Sequence, residues 1–274
     1  MSSRGTSAAS VGGFKLPAVT VAPGKELVTI CIEIRSDRIG ILADISKLIA
    51  ERGFNVINGV LQVECGRGFI LLVVERAGDT PLDDLRGALS GVEGVGEVLC
   101  EESTTLGLAI STHLFPLTRD GVRIISLSEL GLRALIENLS RMIGEGASNA
   151  VLFRIGYEMG KGFAEGHLRI AKDIGIEDPL EVIARVTTPL YAASGYGIAS
   201  VSELRGKILL RIRDNIEALQ RTSSGPSCFL TKGMWKGVLE VILKRVVSIE
   251  EVKCQAAGSD YCEFEVTTNP LSLT

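Results

Sequence analysis

The chain has 274 residues, 46% of them hydrophobic, a formal net charge of -4 at pH 7 and six cysteines. That length exceeds the usual single domain and allows two substantial cores. The mildly acidic balance, without any basic run interleaved with aromatics, argues against a nucleic-acid partner, and no apolar stretch approaches the roughly 18 residues that span a bilayer. Six cysteines do not make a dense disulfide framework, and the N-terminus has no charged start followed by an apolar run, so a cytoplasmic protein is expected.

Residues 1–24, rich in Ser, Gly and Ala with scattered Pro, read as a flexible tail. Beyond them, alternation predicts a strand over Leu27–Ile34, and helical spacing predicts a helix over Ile41–Arg52. Strands over Phe54–Glu64 and Phe69–Glu75, a helix over Leu82–Leu89 and a strand over Val95–Glu101 follow. The order βαββαβ gives a four-stranded antiparallel sheet with two helices on one face, the ferredoxin-like arrangement. The boundary falls between Glu102 and Leu106, which gives domains of residues 25–103 and 104–268 with little linker. The second half begins with a strand pair around Leu114 and Val122, joined by Thr118–Gly121. Helices near Leu130–Met142, Ala147–Ala171 and Pro179–Tyr191 come next, then strands near Tyr196–Ser202 and Lys207–Arg213, a helix near Cys228–Lys244 and a terminal hairpin. The fold class is α+β, with antiparallel strands and a layer of long helices.

Arg35 and Asp37 sit two apart at the end of the first strand and can project together, Arg35 toward a carboxylate and Asp37 toward an ammonium group. Free helix N–H groups after Ile39 favour the same carboxylate. The plainer reading is an exposed ion pair between the two. The stretch from Arg35 to Asn58 has Gly40 at the strand-to-helix turn, Leu42 after it, and Gly53 with Asn55 where the second strand begins. Over about residues 26–101 it resembles the ACT domain, the amino-acid-binding regulatory module of many metabolic enzymes. The resemblance implies an amino acid bound at the first turn between two subunits, by Arg35, Asp37, Gly40 and Asn55. Serine-binding members often have His, Asn and Pro where this chain has Arg35, Asp37 and Ile39, so the resemblance does not fix which amino acid.

Near the C-terminus, Cys228, Glu251, Cys254 and Cys262 offer three thiols and a carboxylate, a donor set suited to tetrahedral zinc. Four protein ligands leave no open position, so such a site would be structural. Pairing the last hairpin about Gly258 sets Cys254 opposite Cys262 on one face. Glu251, three residues before Cys254, needs a bulge or an irregular strand to reach that face. Buried structural thiols, or a disulfide between Cys254 and Cys262, fit the spacing as well. Cys31, Cys65 and Cys100 read as buried or strand-end thiols. Gly156, Gly160 and Gly162 each cost a helix about 1 kcal/mol against alanine, so close helix packing or a ligand beside the backbone should compensate. Met159, Phe163, Tyr191, Tyr196, Phe229, Met234 and Trp235 line either an apolar pocket or an ordinary core. His113 and His167, with no nucleophile pattern nearby, read as surface or satisfied polar residues rather than catalysts.

The segment Leu139–Ala164 with its glycines Gly144, Gly156, Gly160 and Gly162, then Gly195-Tyr-Gly197, Gly233–Gly237, and finally Glu251, Cys254 and Cys262, resembles the V4R domain over about residues 105–267. That domain occurs in bacterial aromatic-responsive activators, in a bacteriochlorophyll vinyl-reductase-related protein and in archaeal proteins, and is similar in fold to a vesicle-tethering subunit that holds an acyl chain. In the aromatic sensors, one cysteine before the last long helix, a glutamate and two later cysteines bind zinc. The resemblance thus implies zinc on Cys228, Glu251, Cys254 and Cys262, and a small hydrophobic or aromatic ligand. Together the two halves lead us to expect a non-enzymatic, ligand-sensing regulatory homodimer whose domains pair about one two-fold axis. The ATPase and helix-turn-helix parts of the activators are not found, so output through an unknown protein partner is expected. The alternatives are an enzyme-associated or vinyl-reductase-like protein of tetrapyrrole metabolism, for which no Gly-rich dinucleotide loop is found, and an assembly or tethering subunit.

Overall fold

The computed structural model describes residues 18–268 apart from 78, 120 and 205. The fold is α+β, and the chain divides between Leu117 and Thr118 into two compact units.

In the first unit, strands β1 (Val19–Val21) and β2 (Leu27–Ile34) precede helix α1 (Ile41–Glu51). Strands β3 (Phe54–Glu64) and β4 (Arg67–Arg76), helix α2 (Leu82–Ser90) and strands β5 (Val95–Glu102) and β6 (Leu108–Ile110) follow. The main sheet has the order β3-β4-β2-β5 and is antiparallel throughout. Period-2 spacing puts Val28, Ile30, Ile32 and Ile34 on one face, where they meet Ile41, Ile45 and Ile49 of α1 and Leu85 and Leu89 of α2. The βαββαβ order stands as expected. Two features go beyond the sequence reading. Val19–Val21, inside the stretch read as a tail, is a strand paired with Leu108–Ile110. That pairing draws residues past the expected boundary between Glu102 and Leu106 into this unit, and Leu27, Val73 and Ala109 cluster beneath it.

The second unit opens with a short ribbon, β7 (Thr118–Arg119) and β8 (Val122–Arg123). The strand expected around Leu114 is therefore displaced to Thr118–Arg119. Helices α3 (Glu129–Ile143) and α4 (Glu145–Asp173) follow, broken at Gly144, whose φ of 79° ends one helix and starts the next. Helix α5 (Pro179–Val182) runs through a π-helical segment, Ile183–Thr187, into α6 (Thr188–Ala193). Strands β9 (Ile198–Leu204) and β10 (Lys207–Arg213), helix α7 (Phe229–Leu243) and strands β11 (Val247–Lys253) and β12 (Cys262–Thr268) complete it. This sheet is antiparallel with order β11-β12-β10-β9, and α7 lies in its core, with Trp235 and Phe264 fully buried.

Helices α4 and α7 touch backbone to backbone. A Cβ at Gly156 would lie 2.1 Å from the Leu230 carbonyl oxygen, and one at Gly160 2.0 Å from that of Met234. Reciprocally, Cβ atoms at Gly233 and Gly237 would lie 2.0 Å and 2.2 Å from the carbonyl oxygens of Phe153 and Tyr157. Such distances admit only a Cα hydrogen, which at this approach makes a weak contact with the carbonyl. Gly162, the third glycine of the expected packing set, faces open space. Gly160→Ala and Gly233→Ala should each lower unfolding free energy by about 1–3 kcal/mol, because the obstruction is backbone and cannot turn aside. Gly162→Ala should raise it by up to about 1 kcal/mol, and urea denaturation of the three variants reads the contrast.

Candidate functional site

The start of α7 gathers side chains from four places in the second unit. Cys228 is the residue before the helix, Glu251 lies in β11, Cys254 follows β11, and Cys262 opens β12. The hairpin runs Glu251 opposite Phe264 and Lys253 opposite Glu263, so a bulge at Val252 turns Glu251 to the cysteine side, as the sequence required. The connection about Gly258 is not a tight turn. Gln255–Ala257 form a 3-10 turn that lifts the Gln255 N–H to within 3.4 Å of Cys262 Sγ.

All four side chains are buried, and their donor atoms lie within 4.8 Å of one another. Cys228 Sγ stands 3.6 Å from Cys254 Sγ and 3.7 Å from Cys262 Sγ, and all three thiols are free. A disulfide would bring two sulfurs to about 2.04 Å. Tetrahedral coordination with metal–sulfur bonds of about 2.3 Å instead places sulfurs about 3.8 Å apart, close to the spacing found. Glu251 Oε2 accepts from Cys228 N at 2.9 Å, while Oε1 is buried with no partner and free to bind an ion. The four residues together could hold a metal ion.

The electrostatics agree with that reading. Contact with Cys228 and Cys262 holds the Cys254 thiol well below the ordinary range, whereas contact with Cys254, then Cys262, then burial push Cys228 well above it. Burial raises the Glu251 carboxyl to about 7. The four groups cannot all ionise side by side unaided, and a dication is what would let them. Donors surround the cluster: Asn215 Nδ2 stands 3.5 Å from Cys262 Sγ, and Ser227 Oγ 3.5 Å from Cys254 Sγ. Glu217, buried, accepts from the Leu230 and Thr231 N–H groups at 3.0 and 2.7 Å, so carboxylates satisfy the opening turn of α7. Asn215, Glu217, Ser227 and Gln255 are absent from the sequence reading, since no spacing ties them to the cysteines.

Two turns along α7, a cavity of about 20 Å³ lies among Phe163, Tyr191, Tyr196, Met234 and Trp235. Of the seven apolar residues expected to line a pocket, Met159 packs in the core and Phe229 borders a separate open groove. Tyr191 stacks on Tyr196 with ring centroids 5.3 Å apart and tilts against Trp235 at 5.2 Å. His167 Nδ1, Thr187 Oγ1, Tyr191 Oη and Trp235 Nε1 all belong to residues on this cavity, and each is buried without a short hydrogen bond, although Thr231 and the Trp235 indole act as donors toward the Tyr191 hydroxyl. His167 is thus neither a surface residue nor a satisfied one, contrary to the sequence reading. Burial, and then Arg119, push its imidazole down to about 4, so it is neutral at pH 7.

In the first unit, Gly40 precedes α1 with φ of 91°, and Asp37 N donates to the Gly66 carbonyl at 2.8 Å. Arg35 Nε donates to Glu33 Oε2 at 2.9 Å, so its partner is Glu33 rather than Asp37. The Glu97 N–H and then Arg35 hold the Glu33 carboxyl below its usual range. Asn55 lies at the other end of the sheet. It pairs with Glu75 of β4, whereas Ile34, beside Arg35, pairs with Gly68, roughly 24 Å along the strand. Arg35, Asp37 and Gly40 lie in the one turn between β2 and α1, and Asn55 lies away from it.

A family model for the V4R domain matches residues 208–268, the segment that carries Cys228, Glu251, Cys254 and Cys262. The C-terminal region therefore contains a V4R domain. An uncharacterised protein of Methanocaldococcus jannaschii is 26% identical over 134 residues, which are 49% of this chain and 65% of the relative, so the chain spans slightly under two thirds of that relative's length. Among solved structures, the phenol-responsive sensory domain of the transcription activator PoxR is similar over 53% of this chain and 77% of that one, at 17% identity and a TM-score of 0.47. The ACT domain from GTP pyrophosphokinase of Chlorobium tepidum is similar over 28% of this chain and 97% of that one, at 25% identity and a TM-score of 0.25.

Glu217→Ala should destabilise the second unit by about 2–4 kcal/mol, because it leaves two buried N–H groups without an acceptor. Glu217→Gln, which keeps an acceptor, should lose less. Urea denaturation followed at Trp235 compares them.

Proposed function

We propose that the protein is a non-enzymatic, ligand-sensing regulator. A structural zinc ion on Cys228, Glu251, Cys254 and Cys262 fixes the start of α7, and the cavity farther along that helix takes a small hydrophobic or aromatic molecule. The turn of Arg35, Asp37 and Gly40 takes a free amino acid, with Asn55 supplied by the second subunit of a homodimer. Output passes to a protein partner.

The observation that carries this reading is an apolar, aromatic-walled cavity beside four buried polar atoms that lack short hydrogen bonds. A buried donor left unpaired costs about 1–3 kcal/mol, and native interiors rarely tolerate several together unless water or a ligand meets them. A predominantly apolar, aromatic-lined hollow with few polar groups is the usual form of a small-molecule site. Zinc is favoured over other ions by three thiolates at tetrahedral spacing, and four protein ligands leave it no open position for chemistry. The amino-acid reading rests on the resemblance to ACT domains, on the βαββαβ order, and on the glycine turn at Gly40 that opens α1.

Metal analysis of protein prepared without chelator should return close to one zinc per chain. Cys254→Ser should lose the metal and unfold the second unit at lower temperature while sparing the first. A zinc content near zero in the parent protein contradicts the assignment. A thermal-shift screen of the twenty amino acids should find at least one that raises the melting temperature with concentration, and Asp37→Ala should abolish the shift by removing the ammonium partner. No response to any of the twenty would leave the first unit a structural module.

A further inference from the structure

Two residues past β10 the chain turns at Asp214, with φ of 50°, and shuts in Asn215, which is fully buried. A polar amide is costly to bury, so where each of its polar atoms goes is informative. The backbone N–H of Asn215 donates to Gln255 Oε1 at 3.0 Å, and its carbonyl accepts from the Ala218 and Leu219 N–H groups at 2.8 and 3.0 Å. In the side chain, Oδ1 accepts from the Glu217 N–H at 3.4 Å and stands 3.1 Å from the Thr231 hydroxyl. A backbone N–H can only donate, so the oxygen must be the atom on that side. The amide NH2 is thereby turned to Cys262 Sγ, 3.5 Å away. The Gln255 N–H approaches the same sulfur at 3.4 Å. Two N–H donors thus converge on one of the three sulfurs, an arrangement that favours a thiolate over a neutral thiol.

We infer that Asn215 is a positioning residue for the metal: its amide N–H holds the Cys262 sulfur as a charged ligand and sets how tightly the ion is kept. The inference rests on the reading of Cys228, Glu251, Cys254 and Cys262 as a metal centre. Three thiolates and a carboxylate outweigh a dication, so the occupied centre carries excess negative charge, which donors at the sulfurs disperse. Loss of a group that hydrogen-bonds a metal's ligand typically costs about 10- to 100-fold in affinity. The plainer role is local. Oδ1 accepting from the N–H two residues on is an Asx turn, which would shape the loop with no ion involved. Aspartate makes the same turn with the same oxygen, but offers Cys262 an acceptor in place of the donor. The two roles therefore part at Asn215→Asp.

Zinc affinity of the purified full chain is measured by competition with a chromophoric chelator. The reactivity of each cysteine is measured by an iodoacetamide pulse on the zinc-loaded protein, read residue by residue by mass spectrometry. Asn215→Asp and Asn215→Ala should each bind zinc about ten-fold or more weakly than the parent, and in both Cys262 should be alkylated ahead of Cys228 and Cys254. Ser227→Ala, which touches Cys254 rather than Cys262, should leave Cys262 protected. Zinc held by Asn215→Asp as tightly as by the parent, or three thiols alkylated in step in that variant, overturns the inference and leaves the residue an Asx turn. Because aspartate keeps that turn, this result is readable even where Asn215→Ala fails to fold. A parent chain that binds no zinc overturns the metal reading itself.

Discussion

The contact on which the second unit depends is the one between α4 and α7, where four glycines bring two backbones together. A methyl group at any of the four would push the helices apart by more than a side-chain rotation could absorb. Gly233 and Gly237 bracket Met234 and Trp235, so the contact that seats α7 on α4 also aims these two side chains at the cavity. The same seating carries Cys228, at the head of α7, to the strands that bear Glu251, Cys254 and Cys262. The candidate metal centre and the cavity are therefore two ends of one rigid element. Trp235 lies seven steps along the chain from Cys228, about 10 Å at the usual helical rise.

Charge at the head of α7 follows from the same geometry. The open N–H groups of a helix start favour anions, and this one faces Glu217, Glu251 and three thiols. Burial alone disfavours ionising so many groups, as the raised Glu251 carboxyl records. Glu217 answers through hydrogen bonds to backbone and Cys262 through Asn215 and the Gln255 N–H, while a dication would answer for the cluster as a whole. A ligand that shifted Trp235 would press on a helix clamped at its start, so the displacement would have to emerge elsewhere, at α6 or along the π-helical segment.

Much of this was legible in the sequence, and what was not has physical reasons. The first unit was readable because Val28, Ile30, Ile32 and Ile34 alternate and Ile41, Ile45 and Ile49 recur at helical spacing. Strand β1 was not: Val-Thr-Val is too short to show a period, and its partner lies some ninety residues on. The register that sets Cys254 against Cys262 was legible, as was the need for a bulge to bring Glu251 round. The supporting polar residues Asn215, Glu217 and Ser227 were not, because a loop between β10 and α7 delivers them and no periodicity marks it. His167 read as a bland polar residue for a similar reason: on a helix 29 residues long, only the partner helix decides which polar side chain is shut in. Arg119 sits in a two-residue strand, and a π-helical turn leaves no pattern in the sequence at all.

The central claim is that three thiolates and one carboxylate close around a single ion at the head of α7. X-ray absorption at the zinc edge, on the purified full chain, tests it most directly. The account predicts about three sulfur neighbours near 2.3 Å and one oxygen near 2.0 Å. A shell of nitrogen and oxygen alone, or no zinc edge, would contradict it.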